Sequence, residues 1–143
     1  MNENNCIIRA ASWKNEQHVI MAIRSDVFIR EQQVPEELEW DGQDASAMHV
    51  LACCDETAVG TGRLLRTGRI GRMAVRRELR NRGIGTAILQ ELINISREKG
   101  INSLFLNAQV QAMGFYRKQG FIRTGGFFDD AGIVHCRMEY QGR

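Results

Sequence analysis

Long apolar runs are missing from this chain. Nothing approaches the roughly 18 residues of a membrane span, and Met1 to Ala11 lacks the basic start and apolar core of a signal peptide. These absences predict a cytoplasmic protein without a membrane partner. Cys-x-x-Cys is missing as well. Cys6, Cys53, Cys54 and Cys136 are the only cysteines, and neighbours such as Cys53 and Cys54 point to opposite faces of a strand. Neither a disulfide framework nor a zinc knuckle is indicated, so buried free thiols and no metal are expected. No Gly-Lys-Ser/Thr tripeptide occurs, which excludes a Walker loop. Internal repeats and low-complexity tracts are absent. At 143 residues and 43% hydrophobic content, residues 1–143 read as one domain, large enough to bury roughly 68–70% of its unfolded surface.

The net charge of +2 conceals a segregation: eight of the 16 arginines fall between Arg63 and Arg82. Glu31, Glu36, Glu37, Glu39, Asp41 and Asp44 occupy a stretch without Lys or Arg. A basic segment suits a polyanionic ligand, and an acidic loop could attract a cationic amine. No aromatic residue interleaves Arg63 to Arg82, which counts against single-strand nucleic acid stacked on rings. No nucleic-acid partner is expected.

The most informative stretch is Met73-Ala-Val-Arg-Arg-Glu-Leu-Arg-Asn-Arg-Gly-Ile-Gly-Thr86. An apolar strand ends at Val75, an arginine-rich turn follows, and Gly83 and Gly85 open an amphipathic helix. The first amides of a helix have no partner within it and sit at its positive dipole end, so they bind phosphate. Glycine keeps a Cβ out of the way of that approach, and Arg80 and Arg82 add planar donors suited to phosphate oxygens. A dinucleotide fingerprint would want a third Gly or Ala where Ile88 stands, and an acidic residue ending a strand about 20 positions later. Ser103 to Gln109 has none.

Around this stretch, periodicity predicts a strand over Cys6 to Ala10 and a helix over Asn15 to Arg30, stopping near Gln32 or Gln33 ahead of Pro35, the only proline. The acidic loop runs to Ala45. Met48 to Cys54 and Ala58 to Leu65 form a hairpin across Asp55-Glu56-Thr57, and Ile70 to Val75 follows the Thr67-Gly68 turn. A helix over Gly83 to Lys99 ends at Gly100. Then come a strand over Ser103 to Ala108, a short helix over Val110 to Lys118, and closing strands over Phe121 to Thr124 and Val134 to Tyr140. The order predicts an α+β protein with a mixed, mostly antiparallel sheet flanked by helices, in which strand 70–75 lies parallel to strand 103–108 across the helical crossover.

The spacing Arg80-x-x-Gly83-x-Gly85 resembles the acetyl-CoA pyrophosphate loop of the GNAT superfamily of N-acetyltransferases. Leu104 to Phe121 is similar to the strand and helix that follow that loop, with Phe115-Tyr116-x-x-x-Gly120-Phe121. Together with Phe28-Ile-Arg-Glu-Gln-Gln-Val-Pro35 and Asp130-Ala-Gly-Ile-x-His135, it resembles the ElaA/YjcF-like branch. The resemblance implies a GNAT-like acyl-CoA N-acyltransferase fold whose central parallel strands splay apart around the pantetheine arm, with acetyl-CoA as cosubstrate. It implies that Met73, Ala74 and Val75 offer main-chain groups to pantetheine. Arg80, Asn81, Arg82, Gly83, Ile84, Gly85 and Thr86 would hold the pyrophosphate.

The same resemblance implies direct attack of an amine on the thioester, with Tyr116 as the acid, the Val75 N–H polarising the carbonyl, and Asn107 binding pantetheine or acceptor. In several such enzymes a glutamate early in the strand before the loop is the base. Here that place falls near Arg69. Acceptor-side candidates are Glu31, Asp41, Asp44, His49 and His135, the histidines favoured by an ordinary pKa near ~6.5. Three functions follow: acetylation of a small-molecule primary amine, acetylation of a protein or peptide amine, and a non-catalytic role as an acyl-CoA-binding sensor or a basic nucleic-acid module using Arg63 to Arg82. A monomer or homodimer is expected.

Overall fold

The computed structural model describes residues 5–142. Seven strands and four α-helices run β1 (Cys6–Ala11), α1 (Trp13–Arg24), α2 (Glu36–Glu39), β2 (Met48–Cys54), β3 (Thr57–Leu64), β4 (Ile70–Val75), α3 (Ile84–Glu98), β5 (Phe105–Gln109), α4 (Met113–Lys118), β6 (Phe121–Asp130) and β7 (Ile133–Tyr140). The first four strands form an antiparallel sheet in order β1-β2-β3-β4, and the last three a second sheet in order β5-β7-β6. Two halves of a mixed sheet thus meet at β4 and β5, as the α+β expectation required. Their one point of pairing is an isolated parallel bridge, Arg69 to Phe105, supported by the Phe105 N–H donating to the Gly68 carbonyl at 3.1 Å. Beyond it the two strands separate.

α3 covers one face of the first sheet, sending Ile84, Ile88, Leu89 and Leu92 into a core with Val50, Ala52, Leu64 and Ile70. The helix lies close because β3 is bare beneath it. A Cβ on Gly62 would stand 2.7 Å from Ile88 Cγ2 and 2.9 Å from Leu92 Cδ1, so only glycine admits this approach. On the opposite face α1 contributes Ile20 and Ile23, which pack with Val27, Leu51 and Ala74. Past Arg24 the helix widens into a π-turn over Ser25–Glu31, with the Gln32 N–H reaching the Val27 carbonyl at 3.1 Å. It ends where the proline-based reading placed it.

β4 carries a bulge. Thr61 pairs with Ala74 and Arg63 with Gly71, so Arg72 and Met73 together oppose Gly62. Arg72 sits at φ 49°, a left-handed conformation uncommon for a non-glycine residue. Its side chain is thereby aimed at the 36–41 segment.

Two expectations need correction. Cys6 and Cys54 are direct cross-strand partners in β1 and β2 and form a disulfide, leaving only Cys53 and Cys136 as free thiols. Excluding a bond between neighbours on one strand left open the partner that an adjacent strand brings opposite. The closing strand after α4 is also longer than the expected Phe121 to Thr124, reaching Asp130 through Gly125 and Gly126 before a tight turn at Ala131 and Gly132.

Candidate active site

The divergence of β4 from β5 leaves a cleft of about 500 Å³. Its walls are β4 from Ile70 to Val75, β5 at Leu106, Asn107 and Gln109, and Tyr116 of α4. Val27, Phe28 and Gln32 of the π-turn, Leu38 to Gln43, and the hairpin from Asp130 to Ile133 close the other side. At the far end Gln109 Nε2 donates to Gln32 Oε1 at 2.9 Å, tying the two walls together.

β4 is an edge strand of its sheet here, and its free edge faces the cleft. The Arg76 N–H donates to the Val59 carbonyl of β3 at 2.8 Å. Strand alternation therefore turns the Val75 N–H the other way, into the gap. The chain then passes through Arg80, Asn81 at φ 64° and Gly83 at φ 83° into α3. The helix start carries no side-chain cap. The Ala87 N–H closes the first turn on the Gly83 carbonyl at 3.1 Å, and the amides of Ile84, Gly85 and Thr86 precede it. A Cβ on Gly83 would meet no protein atom within 4 Å, so this end of the helix opens to solvent.

Tyr116 is partly buried beside Phe115 and Phe121, its hydroxyl directed at Met73 Sδ 3.7 Å away, a weak acceptor. Burial pushes its pKa up to about 12, so it holds its proton throughout the neutral range. Asn107 lines the cleft from the facing strand, in register with Arg137 of β7.

The segregated charges recombine in three dimensions. Arg24 is fully buried, with Nε 2.7 Å from Glu39 Oε2 and Nη1 2.7 Å from Asp44 Oδ1, under the ring of Trp40 at 4.9 Å. Arg63 forks onto Asp41 at 3.0 and 2.9 Å and also reaches Asp44 at 3.0 Å. Arg72 joins Glu39 and Asp41, both at 3.3 Å. Three guanidinium groups thus balance three carboxylates, and the acidic loop is not the open cation trap that its sequence suggested. Arg76 pairs with Asp26. Arg80, expected as a mobile charge for phosphate, is clamped by Glu31 at 2.6 and 2.7 Å and donates from Nε to the Val75 carbonyl at 2.8 Å.

The pKa shifts follow this pairing. Burial lifts the Asp41 and Asp44 carboxyls, but the Arg63 and Arg24 guanidinium groups outweigh it and hold both below the usual aspartate range. For Glu39 burial wins over Arg72 and Arg24, and its pKa is raised. Burial likewise lowers His49, against the pull of the Asp44 carbonyl that its Nε2 contacts at 2.9 Å.

Of the acceptor-side candidates, Asp41 and His135 border the cleft. Asp44 and His49 are buried behind it, and His49 stacks on Trp13 at 5.1 Å. Glu31 is engaged with Arg80. The His135 Nδ1 lies 2.7 Å from the Ile133 carbonyl; donation from this nitrogen leaves Nε2 as an acceptor. Sequence reasoning missed Glu39, Arg72 and Gln32 as cleft residues. Only the bulge and the π-turn bring the latter two there, and neither irregularity leaves a local signature in the sequence.

A sheet parted between two parallel strands, with a bare helix start at the mouth of the cleft, is the architecture of an acyl-CoA N-acyltransferase. The chain belongs to the GNAT family, residues 10–141 matching the Acetyltransferase (GNAT) domain, and is an acetyltransferase of a family that uses acetyl-CoA. It is 34% identical over 137 residues to the uncharacterized N-acetyltransferase YjcF of Bacillus subtilis (strain 168), covering 92% of this chain and 98% of that one. The crystal structure of Escherichia coli ElaA shares the fold at a TM-score of 0.85 and 22% identity, over 94% of this chain and 99% of that one. An acyl-CoA N-acyltransferase from Pseudomonas aeruginosa does so with the same TM-score, identity and coverage. Among the described residues no helix is long and apolar enough to cross a membrane.

Proposed function

We propose that this enzyme transfers the acetyl group of acetyl-CoA to the primary amine of a small molecule by direct attack. The observation that carries the reading is the uncapped start of α3, placed at the mouth of a cleft whose far side is closed by the 38–43 segment and the β6–β7 hairpin. Walls on the acceptor side suit a small molecule better than a protein surface, which needs an open groove.

The residues present fit acetyl-CoA. The amides of Ile84, Gly85 and Thr86 and the exposed loop from Asn81 to Gly83 take the diphosphate, and the free edge of β4 at Met73 to Val75 takes the pantetheine amides. Acetyl-CoA supplies the acetyl group as a thioester. The Val75 N–H points into the gap and is the donor for the carbonyl oxygen as it gains negative charge. Tyr116 carries the proton for the departing thiolate, a proton its raised pKa keeps in place at neutral pH, and Asn107 holds an amide from the opposite strand. His135 is the base we favour, because it borders the cleft and its Nδ1 contact leaves Nε2 free to accept the ammonium proton. Asp41, bound to two arginines, is a poorer base.

A library of primary amines incubated with acetyl-CoA, read by release of free CoA thiol, tests the reading. Turnover on low-molecular-weight amines is expected. Turnover on lysine-containing peptides alone would replace this reading with a protein acetyltransferase, and CoA binding without turnover on either would leave a sensor.

A further inference from the structure

Arg69 is the cleft arginine without a partner. Five of its neighbours in the basic stretch are engaged: Arg63 and Arg72 in the buried network, Arg76 with Asp26, Arg80 with Glu31, and Arg66 with the Ser46 carbonyl at 3.1 Å. Arg69 borders the same cleft, is half-buried, and its side chain makes no hydrogen bond, ion pair or ring contact among the described residues.

Its position is defined by β4. Ile70 enters the core beneath α3, so alternation puts Arg69 on the other face of the strand, the face that carries Arg63 and the 36–44 segment. It stands at the vertex where β4 and β5 begin to part. Met73, against whose sulfur the Tyr116 hydroxyl rests, lies four residues along the strand, roughly 13 Å at ordinary strand rise. A long arginine side chain and a molecule of amino-acid size together span that distance. The buried network of this wall cancels, since Glu39, Asp41 and Asp44 are matched by Arg24, Arg63 and Arg72. Arg69 is therefore the unpaired positive charge on that wall, and Asp130 of the β6–β7 hairpin is the negative charge that lines the same cleft from the other side.

On the acetyl-transfer reading, on which this rests, we propose that the acceptor is an amine carrying an anionic group, a carboxylate or a phosphomonoester, and that Arg69 binds that group. A guanidinium offers two parallel N–H donors to such oxygens, and a partly desolvated site strengthens the contact. Arg69 is a specificity-determining residue here, distant from the bonds that form and break.

The test uses pairs of primary amines that differ only in the anion: α-amino acids against their amides, and O-phosphoethanolamine against ethanolamine, each assayed by thiol release from acetyl-CoA. The expected result is a preference of roughly ten- to a hundredfold in kcat/KM for the anionic member of at least one pair, the size of a charged hydrogen bond. The amino-acid and phosphoethanolamine arms separate carboxylate from phosphate. In Arg69→Gln that preference falls toward unity, in Arg69→Lys it falls part of the way, and in Arg69→Glu it reverses. An unchanged urea midpoint in the three variants assigns the effect to recognition. Equal turnover of both members of every pair overturns the role of Arg69 and leaves acetyl transfer standing. A preference that survives in Arg69→Gln also overturns it. No turnover of any of these amines, with CoA still bound, overturns the role of Arg69 and the small-amine reading together.

Discussion

Arg24→Met tests whether the buried charge network holds the acceptor wall in place. Arg24 is 0% exposed, bonds Glu39 and Asp44 at 2.7 Å each, and donates to the Glu39 carbonyl at 3.2 Å. Methionine fills much of its volume but leaves two buried carboxylates facing Arg63 and Arg72 alone. Removing one partner from a buried ion cluster costs about 3–5 kcal/mol, because the remaining charges stay desolvated without full compensation. For a chain of this size that corresponds to a fall in Tm of about 10–17 °C. The cost falls on one side of the molecule. Glu39 and Asp44 anchor the 36–46 segment, whereas the α3 start lies at the other end of the cleft. Urea denaturation should show the loss of stability, and steady-state kinetics a raised KM for the amine, with CoA affinity by calorimetry within about twofold of the parent. A triple variant, Arg24→Met with Glu39→Gln and Asp44→Asn, should recover part of the stability. A loss below about 1 kcal/mol for Arg24→Met, or a parallel loss of CoA affinity, would refute the reasoning.

Three further outcomes are expected. Tyr116→Phe should lower kcat by about a hundredfold or more while sparing CoA binding. Because the Tyr116 pKa is pushed up to about 12, the parent should show no alkaline loss of kcat from this group below about pH 11. Stability should decline as pH falls below the ordinary aspartate value of 3.8, since Asp41 and Asp44 are depressed in the fold; their contribution is present above 3.8 and is lost as they protonate. Glu39, raised by burial, acts in the opposite sense and in a higher window, its destabilising effect being relieved as pH falls toward the ordinary glutamate value of 4.5, before the aspartate decline sets in; urea titrations at stepped pH would resolve the two. Gly62→Ala should cost about 1–3 kcal/mol by urea denaturation, because its Cβ would press on Ile88 and Leu92.

The elements that sequence made legible are those fixed by short-range rules. Helix α3 shows a strong apolar period and a glycine at each end, Gly83 and Gly100, both left-handed in the structure. The stop of the first helix near Gln32 follows from Pro35, and the β2–β3 hairpin from its turn. What sequence concealed are effects of two distant segments meeting. Charge counting separated Arg63 to Arg82 from Glu31 to Asp44, yet the fold lays β3 and β4 against that acidic segment, and ion pairs consume what looked like two opposite fields. Cys6 and Cys54 are 48 residues apart and meet only because β1 and β2 pair in that register. The bulge that turns Arg72 toward Glu39 has no signature in Gly71-Arg72-Met73. Histidine chemistry alone could not rank His49 against His135, whereas burial of one and cleft exposure of the other separates them.

The central claim is that bare amides at the start of α3 hold a diphosphate and so fix a thioester between β4 and β5. Calorimetric titration of the parent and of Gly83→Val with CoA and with pantetheine, which lacks the diphosphate, measures it directly. The parent should bind CoA far more tightly than pantetheine, and Gly83→Val, folded by its melting curve, should lose most of that difference. Undiminished CoA affinity in folded Gly83→Val, or equal affinity of the parent for CoA and pantetheine, would contradict the account.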